Sequence, residues 1–93
     1  MTVDIRHGRC GRVFVTLHGS LDTEVVDRVH ELLAAVDPTK PVIIDLESIG
    51  TVDPLALAML AGEVNVPRRR LTISGLSRKH RRLLSDFVLQ PPN

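Results

Sequence analysis

The apolar positions of this chain fall into short runs of two kinds, one repeating every second residue and the other every three to four. Thr2 to Ile5 alternates weakly and predicts a short strand. Arg6-His7-Gly8-Arg9-Cys10-Gly11-Arg12 is polar, carries two glycines and suits a hairpin connection. Val13-Phe14-Val15-Thr16-Leu17 is β-branched and aromatic enough for a second strand, with Gly19-Ser20 ending it. Asp22 stands where a helix N-cap is expected, and Glu24 lies in the first turn, where the helix dipole favours negative charge. Val25, Val26, Val29, Leu32, Leu33 and Val36 then share one helical face, with Asp27, Arg28 and Glu31 opposite. Asp37-Pro38 stops this helix, because a residue before proline avoids the α region.

Pro41-Val42-Ile43-Ile44-Asp45-Leu46 is a continuous apolar run of strand length, the pattern of a central strand covered on both faces. Asp53 caps a second helix with Pro54 at its first position, where the missing N–H costs nothing, and Leu55 to Leu60 is good helix-forming material. Leu71-Thr72-Ile73-Ser74 forms the next strand, ended by Gly75. A last helix from about Ser77 to Leu89 buries Leu83, Leu84, Phe87 and Val88, and Pro91-Pro92 terminates it. The order is β-β-α-β-α-β-α: an α/β domain with a mixed four-stranded sheet, an N-terminal antiparallel hairpin and three helices. At 93 residues, one domain spanning 1–93 is expected.

Composition narrows the classes. Hydrophobic residues at 43% and charged residues at 25% are the fractions of an ordinary globule. Phe14 and Phe87 are the only aromatic residues, so a base-stacking platform for single-stranded nucleic acid is not expected. Cys10 stands alone, which rules out an internal disulfide and a thiolate metal cage. No apolar run approaches the ~20 residues that span a bilayer, and no signal-peptide core opens the chain. A cytoplasmic protein is expected.

The net charge of +1 hides an asymmetry: residues 1–65 carry five basic against ten acidic side chains, and residues 66–93 seven basic against Asp86 alone. Such a split marks a partner surface, or the two halves neutralise each other in the fold. Arg68-Arg69-Arg70 falls in a loop. Arg78, Lys79, Arg81 and Arg82 crowd a helix start, where the dipole disfavours cations, and an anion, a partner protein or the acidic half would compensate them. Near-neutral charge and few aromatics argue against a specific nucleic-acid partner.

Chemistry for catalysis is sparse. His7, His18, His30 and His80 sit on four different elements without an i, i+4 pair, so no metal site is expected. Gly8-Arg9-Cys10-Gly11 lacks the spacing of a phosphate-binding loop, and Cys10 reads as an incidental thiol. Asp45, Glu47 and Asp53 group at the end of the central strand, either as a magnesium patch or as one cap and two solvated carboxylates; the second is expected. His80 shares a side with Leu83 and Leu84 and reads as a partly buried packing residue. No catalytic residue and no cofactor are assigned.

Three segments in this order resemble the STAS domain, the fold of bacterial anti-sigma-factor antagonists. They are Val15-Thr16-Leu17-His18-Gly19-Ser20-Leu21-Asp22, then Val42 through Asp53, then Leu71-Thr72-Ile73-Ser74-Gly75-Leu76 with the amphipathic helix after it. The resemblance spans about Val13 to Leu89, and it rests on order and spacing more than on any single motif.

The resemblance implies a protein-interaction module that is not an enzyme and that binds a kinase-like anti-sigma factor to regulate transcription. Its contact surface would comprise Ser20, Leu21, Asp22 and Thr23 with Asp53, Pro54, Leu55, Ala56 and Leu57. The family motif at the second helix is Asp-Ser-Ser/Thr-Gly-Leu, whose second hydroxyl residue the partner phosphorylates to release the antagonist. Here it reads Asp53-Pro54-Leu55-Ala56-Leu57: Leu55 stands at the phosphoacceptor position and Ala56 at the glycine. The segment from Asp53 to the next strand is also shorter than the resemblance leads one to expect. These departures argue against the ordinary serine phosphoswitch and leave the fold intact. Ser20, Ser48 and Thr51 are the nearby hydroxyls that could substitute. Two other roles known for STAS domains are the subunit of a phospholipid-transport ABC complex and a small-ligand or nucleotide sensor. The first usually keeps a threonine and glycines at the motif and the second is not supported by any glycine-rich cradle here.

Overall fold

The computed structural model describes residues 2–66 and 70–89. Its strands are β1 (Thr2–His7), β2 (Val13–Leu21), β3 (Val42–Asp45), β4 (Ile49–Val52) and β5 (Leu71–Ser74), and its helices α1 (Thr23–Ala35), α2 (Pro54–Val64) and α3 (Arg78–Leu89). The result is α/β with a mixed sheet and three helices. The strand order is β1-β2-β3-β5, with β4 also pairing β2. β1 runs antiparallel to β2, and every other pairing is parallel.

Burial alternates along the central strands. Val13, Val15 and Leu17 of β2 and Val42 and Ile44 of β3 are at most 3% exposed. Because Val13 is paired with Val42 and Val15 with Ile44, all five project to the same side. They join Val25, Val26, Val29 and Leu33 of α1, Ala56, Leu57, Leu60 and Ala61 of α2, and Leu84 of α3 in one core cluster. All three helices therefore feed one face of the sheet.

Four expectations change at this point. The sheet has five strands and not four, since Ile49–Val52 pairs in parallel with the far end of β2. The reason is that β2 does not stop at Gly19-Ser20. Gly19 takes φ 92° at a bulge, a conformation open to glycine, and the strand resumes to bury Leu21. The near half of β2 holds β3 and its far half holds β4, one after the other along the same edge. The central strand is also covered on one face only. Ile43 and Asp45 are half-buried, and Ile43 stands beside its cross-strand neighbour Phe14 on a face that otherwise carries Asp4, Thr16, His18, Thr72 and Ser74. β1 likewise continues through Arg6 and His7, so that only Gly8–Arg12 forms the connection.

Helix boundaries follow local chemistry. α1 ends at Ala35, and Asp37 organises the following turn by accepting the N–H and the hydroxyl of Thr39, which lowers its pKa. Leu32 and Val36 are half-buried, and α2 runs 11 residues. In α3, Leu84 is buried and Leu83 half-buried, while the Phe87 and Val88 side chains and Pro91-Pro92 lie outside the described residues. Ser77 caps α3: its Oγ accepts the His80 N–H at 3.4 Å and lies 2.9 Å from His80 Nδ1. His80 is half-buried, the partial burial expected of it.

Gly75 closes β5 at φ 82°, and a Cβ there would lie 2.5 Å from the Glu47 amide nitrogen and 2.7 Å from Asp45 Oδ1. The turn after β3 leans directly on this backbone. Gly75→Ala should therefore destabilise the fold by about 2 kcal/mol or more, from the left-handed backbone and the collision together. Gly62→Ala, inside α2 with nothing within 4 Å of its would-be Cβ, should instead stabilise by ~0.5–1 kcal/mol. Chemical denaturation of both variants beside the wild type checks the pair.

Candidate functional site

Pairing of β4 with β2 sets Ser20 beside Thr51 and Leu21 beside Val52. One residue later the Asp53 N–H donates to the Leu21 carbonyl at 2.9 Å. The two strands thus end together, and α1 and α2 start side by side at their carboxyl ends. Open α/β sheets commonly place their sites at strand ends of this kind.

Both helix starts are built as the residue types demand. Asp22 Oδ1 accepts the Val25 N–H at 2.9 Å, and its carbonyl accepts from Val26. Asp53 Oδ1 accepts the Leu55 N–H at 2.9 Å, and its carbonyl accepts from Leu57. Pro54 occupies the first turn, where its absent N–H leaves nothing unpaired.

The nine residues expected to meet a partner divide by depth. Leu21, Ala56 and Leu57 are at most 1% exposed and belong to the core, so their side chains cannot also line the surface. Asp22, Thr23 and Asp53 are half-buried; Ser20, Pro54 and Leu55 are exposed. Leu55 is 62% exposed, more than Ile5 at 41% or Val66 at 38%, the other exposed large apolar side chains among the described residues. Ser48 and Thr51 are exposed as well. A cleft of about 160 Å³ opens nearby, between Ile49, Gly50 and Val52 on one side and Gly75, Leu76 and His80 on the other.

The other sequence candidates are placed apart. Asp45 Oδ1 accepts the Glu47 N–H at 2.9 Å, and with the Asp53 cap this engages two of the three grouped carboxylates in turns. No group of three His, Cys, Asp or Glu among the described residues could hold a metal ion. The four histidines stay on four elements. Arg70, Arg78, Lys79, Arg81 and Arg82 are exposed, while Arg68, Arg69 and the Cys10 side chain lie outside the described residues. Among the described residues His18 pairs with Asp4 and His30 with Glu63.

Sequence reasoning missed the pair between His30 of α1 and Glu63 of α2, which ties the two helices that frame the site. Glu63 is 8% exposed, and a nearly buried glutamate is stable only with partners. Two polar residues 33 positions apart give no local signal of this contact. No family model matches the chain, and a search of curated proteins returns no match.

The cap at α2 is testable by itself. Asp53→Ala should lower stability by ~0.5–2 kcal/mol, and Asp53→Asn, which keeps the acceptor, by much less. If Mg²⁺ raised the melting temperature of the wild type and not of Asp53→Asn, Asp53 would be an ion ligand and not a cap.

Proposed function

We propose that the chain is a non-enzymatic protein-interaction module of STAS type, resembling an anti-sigma-factor antagonist, that works in the cytoplasm on a kinase-like anti-sigma factor. The observation that carries the reading is the paired start of α1 and α2, with exposed Leu55 at its rim and Ser20 and Thr51 as neighbours on adjoining strands. An exposed leucine surrounded by hydroxyls and capped helix ends makes a contact surface of mixed polarity, the usual character of a non-obligate interface. In this reading Ser20, Asp22, Thr23, Pro54 and Leu55 meet the partner, while Leu21, Ala56 and Leu57 hold the backbone beneath them. No helix among the described residues is long and apolar enough to cross a membrane.

The interaction is expected to lack the serine switch. Leu55 has no hydroxyl, and it adds none of the ~−2 charge by which a phosphate would drive release. Binding of a kinase-like anti-sigma protein, followed by calorimetry, should persist in the presence of ATP. Leu55→Glu should weaken it at least about tenfold, by setting a charge where an apolar contact is buried. Intact-mass spectrometry after incubation with partner and ATP should show no added phosphate. A stoichiometric phosphate mapped to Ser20, Ser48 or Thr51 would mean the switch has moved. Capture of an ABC ATPase in place of the kinase-like protein, or strong thermal stabilisation by a nucleotide, would replace this function with one of the other two STAS roles.

A further inference from the structure

The largest concavity among the described pockets lies away from the helix starts, between β1 and α1. It measures about 490 Å³ and is lined by Val3, Ile5, Arg28, Glu31, Leu32 and Ala35. Ile5, 41% exposed, stands at its rim. β1 is an end strand of the sheet, so among the described residues one side of its backbone has no strand beside it. Six regular residues without proline or bulge make it a template for another strand.

Which amides face outward can be worked out from the hairpin. The Gly8 N–H donates to the Arg12 carbonyl at 2.8 Å, continuing the register in which His7 faces Val13. Antiparallel bonding alternates, so Arg6, Asp4 and Thr2 direct their backbone groups to β2, and Val3, Ile5 and His7 direct theirs outward. A second strand must therefore bond to those three residues.

A second copy of β1 meets this demand in one register. With a two-fold axis at Ile5, Ile5 faces Ile5 of the other copy and Val3 faces His7, so all three outward residues bond in both directions. In that arrangement Asp4 faces Arg6 and Arg6 faces Asp4, as non-hydrogen-bonded pairs, whose side chains approach most closely. Sliding by one bonding step either way sets Asp4 against Asp4 or Arg6 against Arg6, which is repulsive. The same axis brings the two grooves together, so that Ile5 and Leu32 of each copy cover the other's apolar floor, and Arg28 and Glu31 of α1 present opposite charges across it. We propose that this edge is a self-recognition site, through which two copies join their sheets antiparallel at β1. The inference is independent of the proposed function, because the helix starts lie at the strand ends and not along this edge.

Sedimentation equilibrium of the whole chain under reducing conditions, which silence Cys10, tests it across roughly 1–300 µM. A monomer–dimer equilibrium is expected. Arg6→Asp should weaken it at least about tenfold, by turning both cross-strand pairs repulsive. Asp4→Arg should do the same, and an equimolar mixture of the two variants should associate as a heterodimer, since each then supplies the charge the other needs. Among the described residues no side-chain hydrogen bond or ion pair is found for Arg6, whereas the Asp4 side chain pairs with His18 within the chain. If Asp4→Arg fails to melt cooperatively, the Arg6→Asp result therefore decides alone. A wild type that stays monomeric throughout, a dimer indifferent to Arg6→Asp, or two folded variants that do not associate when mixed would each overturn the proposal.

Discussion

Everything in this molecule depends on a core that lies on one side of its sheet. Val13, Val15, Leu17, Val42 and Ile44 point the same way because β2 and β3 are paired in parallel and in phase. Side chains from all three helices pack into the core on that face. A one-residue slip of β3 against β2 would send Val42 and Ile44 to the open face, so the register is held by burial. Once it is held, α1 and α2 must both begin at the carboxyl ends of their strands, on the same side of the sheet. The adjacency of Asp22 and Asp53 is a consequence of packing before it is a feature of any function.

Much of this frame was legible because it is written in local terms. Asp22 and Asp53 were recognisable as caps since each precedes an apolar helical run, and in Asp53 the adjacent proline sharpens the signal. β5 and the face of α1 likewise follow from periodicity alone. Failures arose where a residue's meaning depends on distant partners. Ile43 belongs to a run that looks buried on both faces, yet only its neighbours show that its side is open. Gly19 has the look of a strand end, and becomes a bulge because β4 is there to pair with Ser20 and Leu21 beyond it. Gly75 marks a strand terminus in the sequence, but its need for a bare α-carbon is set by Glu47 and Asp45, 28 and 30 positions away.

The site was legible in part for the same reason. The caps at Asp22 and Asp53 followed from local pattern, whereas the choice of nine residues around them came from the family resemblance. Which of them face outward followed from neither, because Leu55, Ala56 and Leu57 are all apolar or small and all suit a helix. Depth separates them: 62% exposure for Leu55 against 0% for the other two. The His30–Glu63 contact that ties the two framing helices joins residues too far apart in sequence for any motif to link them.

The chemistry of the α2 start also bears on what can be read there. A helix N-terminus holds an anion through several unengaged amides together with its dipole. In this chain Pro54 has no amide hydrogen, the Leu55 N–H is taken by Asp53 Oδ1, and the Leu57 N–H already bonds the Asp53 carbonyl. Of the first turn only the Ala56 amide is left, with the Asp53 carboxylate at the same helix start. A phosphate brought to this point would lose most of the donors that make helix starts attractive to anions, and would meet a negative charge. The residues that put an apolar side chain at this helix start thus also remove the cradle for a phosphate. What they leave at the surface is a capped helix end with an exposed leucine, an arrangement suited to a constitutive contact more than to a charge-driven switch.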